Sequence, residues 1–494
     1  MVKAVVGEES RLKLVEDRLS RAALPSQVGL VIGKLSKSLD KAFVFDLIPT
    51  PLNDSGEPPS SIIDDSSTSG NKKKGSKSKP QSSDSSSAAL FIDKDWVSEH
   101  ARQVSRMLLG GMKVVGVYIW TKDSSFKNST ITLCQTIKGV ADAVPFMDTD
   151  VDERLLIHIS YSPRRWTCRN CSLASNITST SLWPCDFKMG KVLTSLKEFR
   201  CTYNFDIRLP VCSESGSITK MREILRHRLS THAKELKGAK CLIDGKLAIE
   251  DELYVPDGLH EVEFLLPFML DKSLEAYSQR GVAGILVFHG SVCSFVYLNP
   301  KEPISQALDD IKEDIIMSLH SRLDILSDEA DGDSESILDD HREASLSTGK
   351  QILQLDLQIQ RQYSSLLFPQ RVFVPWLAGT YICDYILPFE TTEVLKDHCV
   401  ELMSMEAPED DSAILKLESG ALILTSTRKS FWDIASHSSS DSKSDNLLSK
   451  NSRKARSPGT ERKGAKLGDF NIVAVIVVLI ISMVVGLVLF VFRS

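Results

Sequence analysis

From Ile472 to Phe492 the chain is almost unbroken in apolar residues, relieved only by Ser482 and Gly486, and it holds no ionisable group. At about 1.5 Å per helical residue the run spans roughly 31 Å, which matches a hydrocarbon core of about 30 Å. Buried strands and core helices rarely keep more than about a dozen apolar residues without a break. The run therefore predicts one transmembrane helix over 471–492, with Ile472, Val473, Val477, Ile480, Val484, Leu487, Phe490 and Phe492 as the membrane anchor. Its expected partner is the lipid bilayer.

Charge sets the expected orientation. Arg453, Lys454, Arg456, Arg462, Lys463 and Lys466 crowd the amino-terminal flank of the run, whereas Arg493 is the one basic residue beyond it. Basic flanks stay cytosolic. The stretch from Met1 to Glu9 has no apolar h-region, so nothing there predicts delivery to a lumen. The expectation is a single-pass tail anchor with a cytosolic amino terminus. Weak basic charge beyond the helix favours the endoplasmic reticulum over the mitochondrial outer membrane.

Ten cysteines over 494 residues form no dense framework, which fits reduced thiols in a cytosolic body. The sequons at Asn53, Asn128 and Asn176 are then silent. A net charge of -6, with basic residues concentrated near the anchor, gives no footprint for DNA or RNA.

Composition divides the rest into a region 1–210, a second α+β region 211–405, a polar and basic stalk 406–470, and the span. Residues 52–88 are rich in Ser, Pro, Asp and Lys and cannot bury a core, so they read as a disordered insert. Residues 326–347 read as an acidic solvated loop; their Gly and Glu positions do not fit a calcium-binding EF-hand. Short apolar runs predict strands over 28–34, 41–48, 113–120 and 154–161, and a pair of strands over 281–298. Asp93 is placed to cap a helix whose residues Val97, Ala101, Val104 and Leu108 share a face, ended by Gly110-Gly111. Ile304, Leu308, Ile311, Ile315 and Leu319 mark a second amphipathic helix. Strands over 371–375 and 380–387 and a helix over 391–403 follow. The fold class is mixed α+β, without a fixed-period repeat.

Two segments carry a resemblance. Trp96-Val97-Ser98-Glu99-His100-Ala101-Arg102-Gln103-Val104-Ser105-Arg106-Met107-Leu108, with Gly110-Gly111 and Val115-Gly116-Val117 behind it, resembles the signature of the Odr-four-like (odorant response abnormal protein four) family. Arg371-Val372-Phe373-Val374-Pro375, then Cys383-Asp384-Tyr385 and the apolar end, stand in the matching order. The resemblance implies a tail-anchored protein of the endoplasmic reticulum that helps G-protein-coupled receptors, its client membrane receptors, to fold or reach the surface. It also implies a tether for an MPN-domain-containing protease of a ubiquitin-fold modifier, and an MPN-like first domain.

An active MPN protease needs a His-x-His pair after a Val-Gly step, with an Asp and a Glu base, to hold zinc and activate water. Matching Val115-Gly116-Val117-Tyr118 to that strand puts Ile119 and Thr121 at the histidine positions, and no His-x-His occurs anywhere in the chain. The reading is a catalytically dead module that acts as a scaffold, without a cofactor. Cys168 and Cys171 form a single CxxC, a weak zinc candidate because one thiolate pair does not make a site. Gly29, Gly33 and Lys34 miss the Walker spacing, and Leu35 follows the lysine. His158 and His289 read as structural. The alternative to the adaptor is a membrane-anchored hydrolase with a Cys nucleophile, Cys168 or Cys171.

Overall fold

Near-continuous apolar runs, buried on both faces, build the first sheet. A computed structural model describes residues 2–36, 38–63, 88–144, 153–173, 181–212, 218–248, 257–266, 282–335, 364–365, 369–387 and 390–418. All of these lie in one unit, Met1–Ile423. The apolar run at 471–492, its basic flank, the stalk beyond residue 418 and insert residues 64–87 lie outside the described residues. Among the described residues no helix is long and apolar enough to cross a membrane.

Strands β1 (Ala4–Glu8), β2 (Gln27–Ser36), β3 (Lys41–Pro49), β6 (Lys113–Trp120), β7 (Glu153–Tyr161), β8 (Arg164–Ser172) and β9 (Leu182–Gly190) form a closed barrel in the order β1-β3-β2-β6-β7-β8-β9. Parallel pairing of Ala4–Glu8 with Asp186–Gly190 closes it, which removes the exposed edges an open sheet would leave. Successive side chains point to opposite faces. Val31, Val44, Val115 and Leu155 join Leu12, Val15 and Leu19 of helix α1 (Glu9–Ala22) in one cluster. Leu30, Ile32, Val117 and Ile119 join helices α2 (Lys94–Met107) and α4 (Thr130–Ala143) in another. Short helix α3 (Asp123–Asn128) lies between, and a small hairpin of β4 (Ser60–Ile63) and β5 (Ala89–Ile92) leads into α2.

Helix α2 begins where expected: the Asp93 carboxylate accepts the Trp96 amide at 3.1 Å, satisfying one of the orphan donors of a helix start. Val97, Ala101 and Val104 are buried on one face together with His100 and Met107. Leu108 falls just past the helix and remains buried.

A second sheet runs β12 (Lys246–Leu247), β11 (Lys240–Ile243), β13 (Leu259–Leu265), β10 (Lys197–Cys212), β14 (Val282–Leu298), β15 (Ser364–Ser365). Its spine is β10 against β14, antiparallel from Lys197↔Leu298 to Cys212↔Val282. β10 runs across residue 210, where the composition reading draws a domain boundary, and pairs within this second sheet. Helices α5 (Ile218–Lys237) and α6 (Ile304–Glu335) cover one face; Ile304, Leu308, Ile311, Ile315 and Leu319 are all buried there. A hairpin of β16 (Gln370–Pro375) and β17 (Tyr381–Ile386), followed by helix α7 (Glu393–Glu401), packs into the core cluster that also holds α2.

Two expectations are corrected. Residues 281–298 do not make a pair of strands: β14 is one strand, because Gly290 stands opposite Phe205 and leaves room for its ring, with the nearest ring carbon 3.2 Å from where a Cβ would sit. The glycine serves a close approach, not a turn. The acidic stretch from 326 is helical as far as Glu335. Leu323 and Leu326 are buried in the preceding turns, and Asp and Glu cost a helix only about 0.7 kcal/mol each or less by propensity. Residues 336–347 lie outside the described residues.

Candidate functional site

Two places concentrate the residues singled out by the sequence. The first is the end of β6. Ile119 is fully buried among apolar side chains facing α2 and α4, and Thr121 is buried just beyond the strand. His158, opposite Ile119 in the register, lies 3.1 Å through Nε2 from the Thr121 carbonyl. A carbonyl only accepts, so Nε2 carries the proton. The ring stacks on Phe126 at 4.0 Å, and burial lowers its pKa, leaving a neutral structural histidine. Nδ1 is 3.8 Å from Asp123, whose carboxylate is held by Arg165.

Beside this strand end lies a groove of about 1170 Å³ bounded by Ser26, Thr50, Ser60, Lys122, Ser125 and Tyr161, among others. Its described lining offers hydroxyls, the Lys122 amine and the Tyr161 phenol, with no His, Asp, Glu or Cys among them.

The CxxC motif is split by the strand it occupies. Cys168 belongs to the cluster facing α1 and Cys171 to the cluster facing α2 and α4. Positions three apart on a strand point to opposite faces, so the two sulfurs cannot share one metal ion; this corrects the weak zinc candidate. Among the described residues no group of three or more His, Cys, Asp or Glu converges on a metal position.

The second place is where the two resembling segments meet. On α2, Glu99 takes Arg102 through two bonds of 2.8 and 2.7 Å and Gln103 at 2.8 Å, while Ser105 caps back onto the Arg102 carbonyl. Trp96 Nε1 donates to Pro51 O at 3.0 Å. Val104 is buried beneath. His100 sits between Thr50 Oγ1 at 3.3 Å and the Leu402 carbonyl at 2.9 Å, and burial lowers its pKa to about 4. The Arg106 carbonyl accepts the Cys383 thiol at 3.5 Å. Gly111, at φ +86°, closes the turn against α6: a Cβ there would lie 2.8 Å from Asp310 Oδ2.

Arg371 enters the same joint fully buried. Nη1 meets Asp314 at 2.8 Å and the Cys293 carbonyl at 3.2 Å, and Nη2 meets Tyr385 Oη at 3.0 Å. Its backbone amide and that of Cys293 donate to Glu418, which also holds Arg322 by two bonds of 2.7 and 2.6 Å. Val372 and Phe373 are buried, with Phe373 edge-on to Phe295 at 5.2 Å; Pro375 is exposed at the turn. Lys34 reaches Asp310 at 2.6 Å and Glu302 at 3.4 Å. Burial alone would lower the Lys34 pKa, but the Asp310 and Glu302 carboxylates outweigh it and raise it. Lys113 and Glu313 add a 2.7 Å pair at the rim.

Asp310, Asp314, Ser318 and Arg322 recur every four residues and so form one ridge of α6. All are buried. Neither this stripe nor Glu418 is singled out from the sequence, and Lys34 enters there only as a lysine that misses the Walker spacing, though polar residues repeating at a spacing of four inside an apolar helix are the signal that marks the stripe. Asp384, by contrast, holds β17 to α7: it accepts His398 Nδ1 at 2.7 Å. The Asp384 bond raises the His398 pKa. The histidine therefore contributes stability in full below its ordinary value of about 6.5, and loses it as pH rises through the raised folded value. Thermal melts from pH 6 to 8 should show a decline in the wild-type protein that Asp384→Asn flattens.

Fold and site together define an α+β scaffold whose barrel and six-stranded sheet are joined by a buried network of ion pairs. The chain belongs to the ODR4-like family (odorant response abnormal 4-like), whose model matches residues 29–414. Among curated relatives it is 25% identical over 345 residues to Protein odr-4 homolog of Xenopus tropicalis, covering 65% of this chain and 71% of that one. It is 25% identical over 346 residues to the human homolog, with the same coverage, and 25% over 396 residues to that of Dictyostelium discoideum, covering 78% and 77%. These names carry no enzymatic activity. The crystal structure of UfSP from C. elegans superposes with a TM-score of 0.36 at 6% identity, over 84% of this chain and 58% of that one, too loosely to argue fold.

Proposed function

We propose that the protein is a non-catalytic adaptor with an MPN-like barrel, held in the endoplasmic reticulum membrane by a helix over residues 471–492. On this reading it assists the folding or trafficking of G-protein-coupled receptors and tethers an MPN-domain-containing protease of a ubiquitin-fold modifier. Family membership supports the reading, and one observation carries the adaptor half of it: the positions matched to zinc ligands hold Ile119 and Thr121, both fully buried, the first among apolar side chains. Neither side chain can ligate zinc usefully. A hydrolase built on Cys168 or Cys171 fits less well, because both thiols are buried and their pKa values are raised, Cys168 by its bond to Cys185 and Cys171 by its bond to Cys134, with burial adding in each case. A thiol held in its protonated form is a poor nucleophile.

Affinity capture of the full chain, alongside a chain truncated before Ile472, tests this. The modifier protease is expected with both and receptors mainly with the full chain. Absence of both, together with turnover of peptide or ester substrates, would sink the adaptor reading.

A further inference from the structure

Strand β8 carries the two cysteines of the CxxC motif, and the fold gives each a different partner. Cys168 stands directly across from Cys185 of β9. Cys171 shares a hydrogen bond with Cys134 of α4. Directly opposed residues of an antiparallel pair lie about 4.5–5.5 Å apart at Cα, inside the range of about 4.4–6.8 Å that a disulfide spans.

The two pairs differ in access. Cys134 and Cys171 are 1% and 0% exposed, deep in the cluster between the barrel and α4. Cys185 is only half-buried at the outer end of its pair, 3.5 Å from the Val2 carbonyl, at the seam where β9 closes on β1. Contact between the two thiols lowers the Cys185 pKa and raises that of Cys168, so Cys185, whose thiol donates to the Val2 carbonyl, is the one of the pair that gives up its proton more readily. A reachable thiol that deprotonates ahead of a buried neighbour placed to resolve it is the arrangement that peroxide-reactive cysteines need.

We propose that Cys168 and Cys185 form a reversible disulfide when the protein meets hydrogen peroxide, Cys185 being attacked first. The Cys185 thiolate attacks one peroxide oxygen: an S–O bond forms, the O–O bond breaks, and hydroxide leaves and takes up a proton as water. The Cys168 sulfur then attacks the sulfenic sulfur: the S–S bond forms, the S–O bond breaks, and the hydroxyl departs with the Cys168 proton as a second water. Two thiols are oxidised and one peroxide is reduced to two waters. The new bond would staple β8 to β9 beside the barrel closure.

The test is peptide mapping under non-reducing conditions, on full-length protein exposed to a graded series of hydrogen peroxide and then alkylated. The expected result is a Cys168–Cys185 linked peptide, reversed by dithiothreitol, with Cys185 losing free thiol at least about tenfold faster than Cys134. In Cys168→Ser the reaction should stop at a Cys185 sulfenic acid that a dione probe captures. A Cys134–Cys171 link appearing first, Cys185 passing to sulfinic acid with Cys168 still reduced, or an inert Cys185 in both proteins would each overturn the proposal.

Discussion

Arg371→Ala is expected to destabilise the described unit by about 3–5 kcal/mol, the usual cost of stranding a buried carboxylate without its partner. The Asp314 carboxylate, 4% exposed, would lose its 2.8 Å bond to the guanidinium, and Tyr385 Oη and the Cys293 carbonyl would lose donors as well. The readout is the urea midpoint at unchanged m-value. Arg371→Met combined with Asp314→Leu should recover most of the loss, since apolar replacements of both partners in a buried pair are often neutral or better. A double variant as unstable as Arg371→Ala would mean that the lost bonds to Tyr385 Oη and the Cys293 carbonyl, and not the stranded Asp314 carboxylate, set the cost.

Gly111→Ala is expected to cost about 2–4 kcal/mol through two additive causes. A left-handed backbone is strained for an L side chain by about 1–3 kcal/mol, and the new methyl would press on Asp310 Oδ2, the oxygen that Lys34 holds at 2.6 Å. Gly56→Ala separates the causes: Gly56 has φ +75° but nothing within 4 Å of its would-be Cβ. Its variant should show the backbone part alone, so equal midpoint shifts for the two would remove the contact from the explanation.

Much of the local structure is legible in the sequence because it rests on short-range physics. Asp93 starts α2, which stops at Met107, short of the expected Gly110-Gly111; short apolar runs mark β2, β3, β6 and β7, and the apolar spacing of Ile304 to Leu319 marks α6. Residues 281–298 read as two strands where there is one, because the Phe205 ring that takes the space beside Gly290 lies 85 residues earlier in the chain. The CxxC reads as one unit because sequence adjacency hides strand alternation; the β8–β9 register gives Cys168 its partner, and the packing of α4 gives Cys171 another. The ion network is the least legible. Lys34, Asp310, Arg371 and Glu418 belong to separate segments, and nothing local to any of them names its partner.

The bond from His100 to the Leu402 carbonyl joins residues 302 apart in sequence. A ribosome adding roughly 5–20 residues per second needs about 15–60 s to supply that second residue. Through that interval α2 has emerged with His100 and part of its apolar face uncovered, since β16, β17 and α7 are not yet made. The first half of the protein is thus a client before it is a finished product, and its yield in cells should depend on holdase chaperones more steeply than its final stability would suggest.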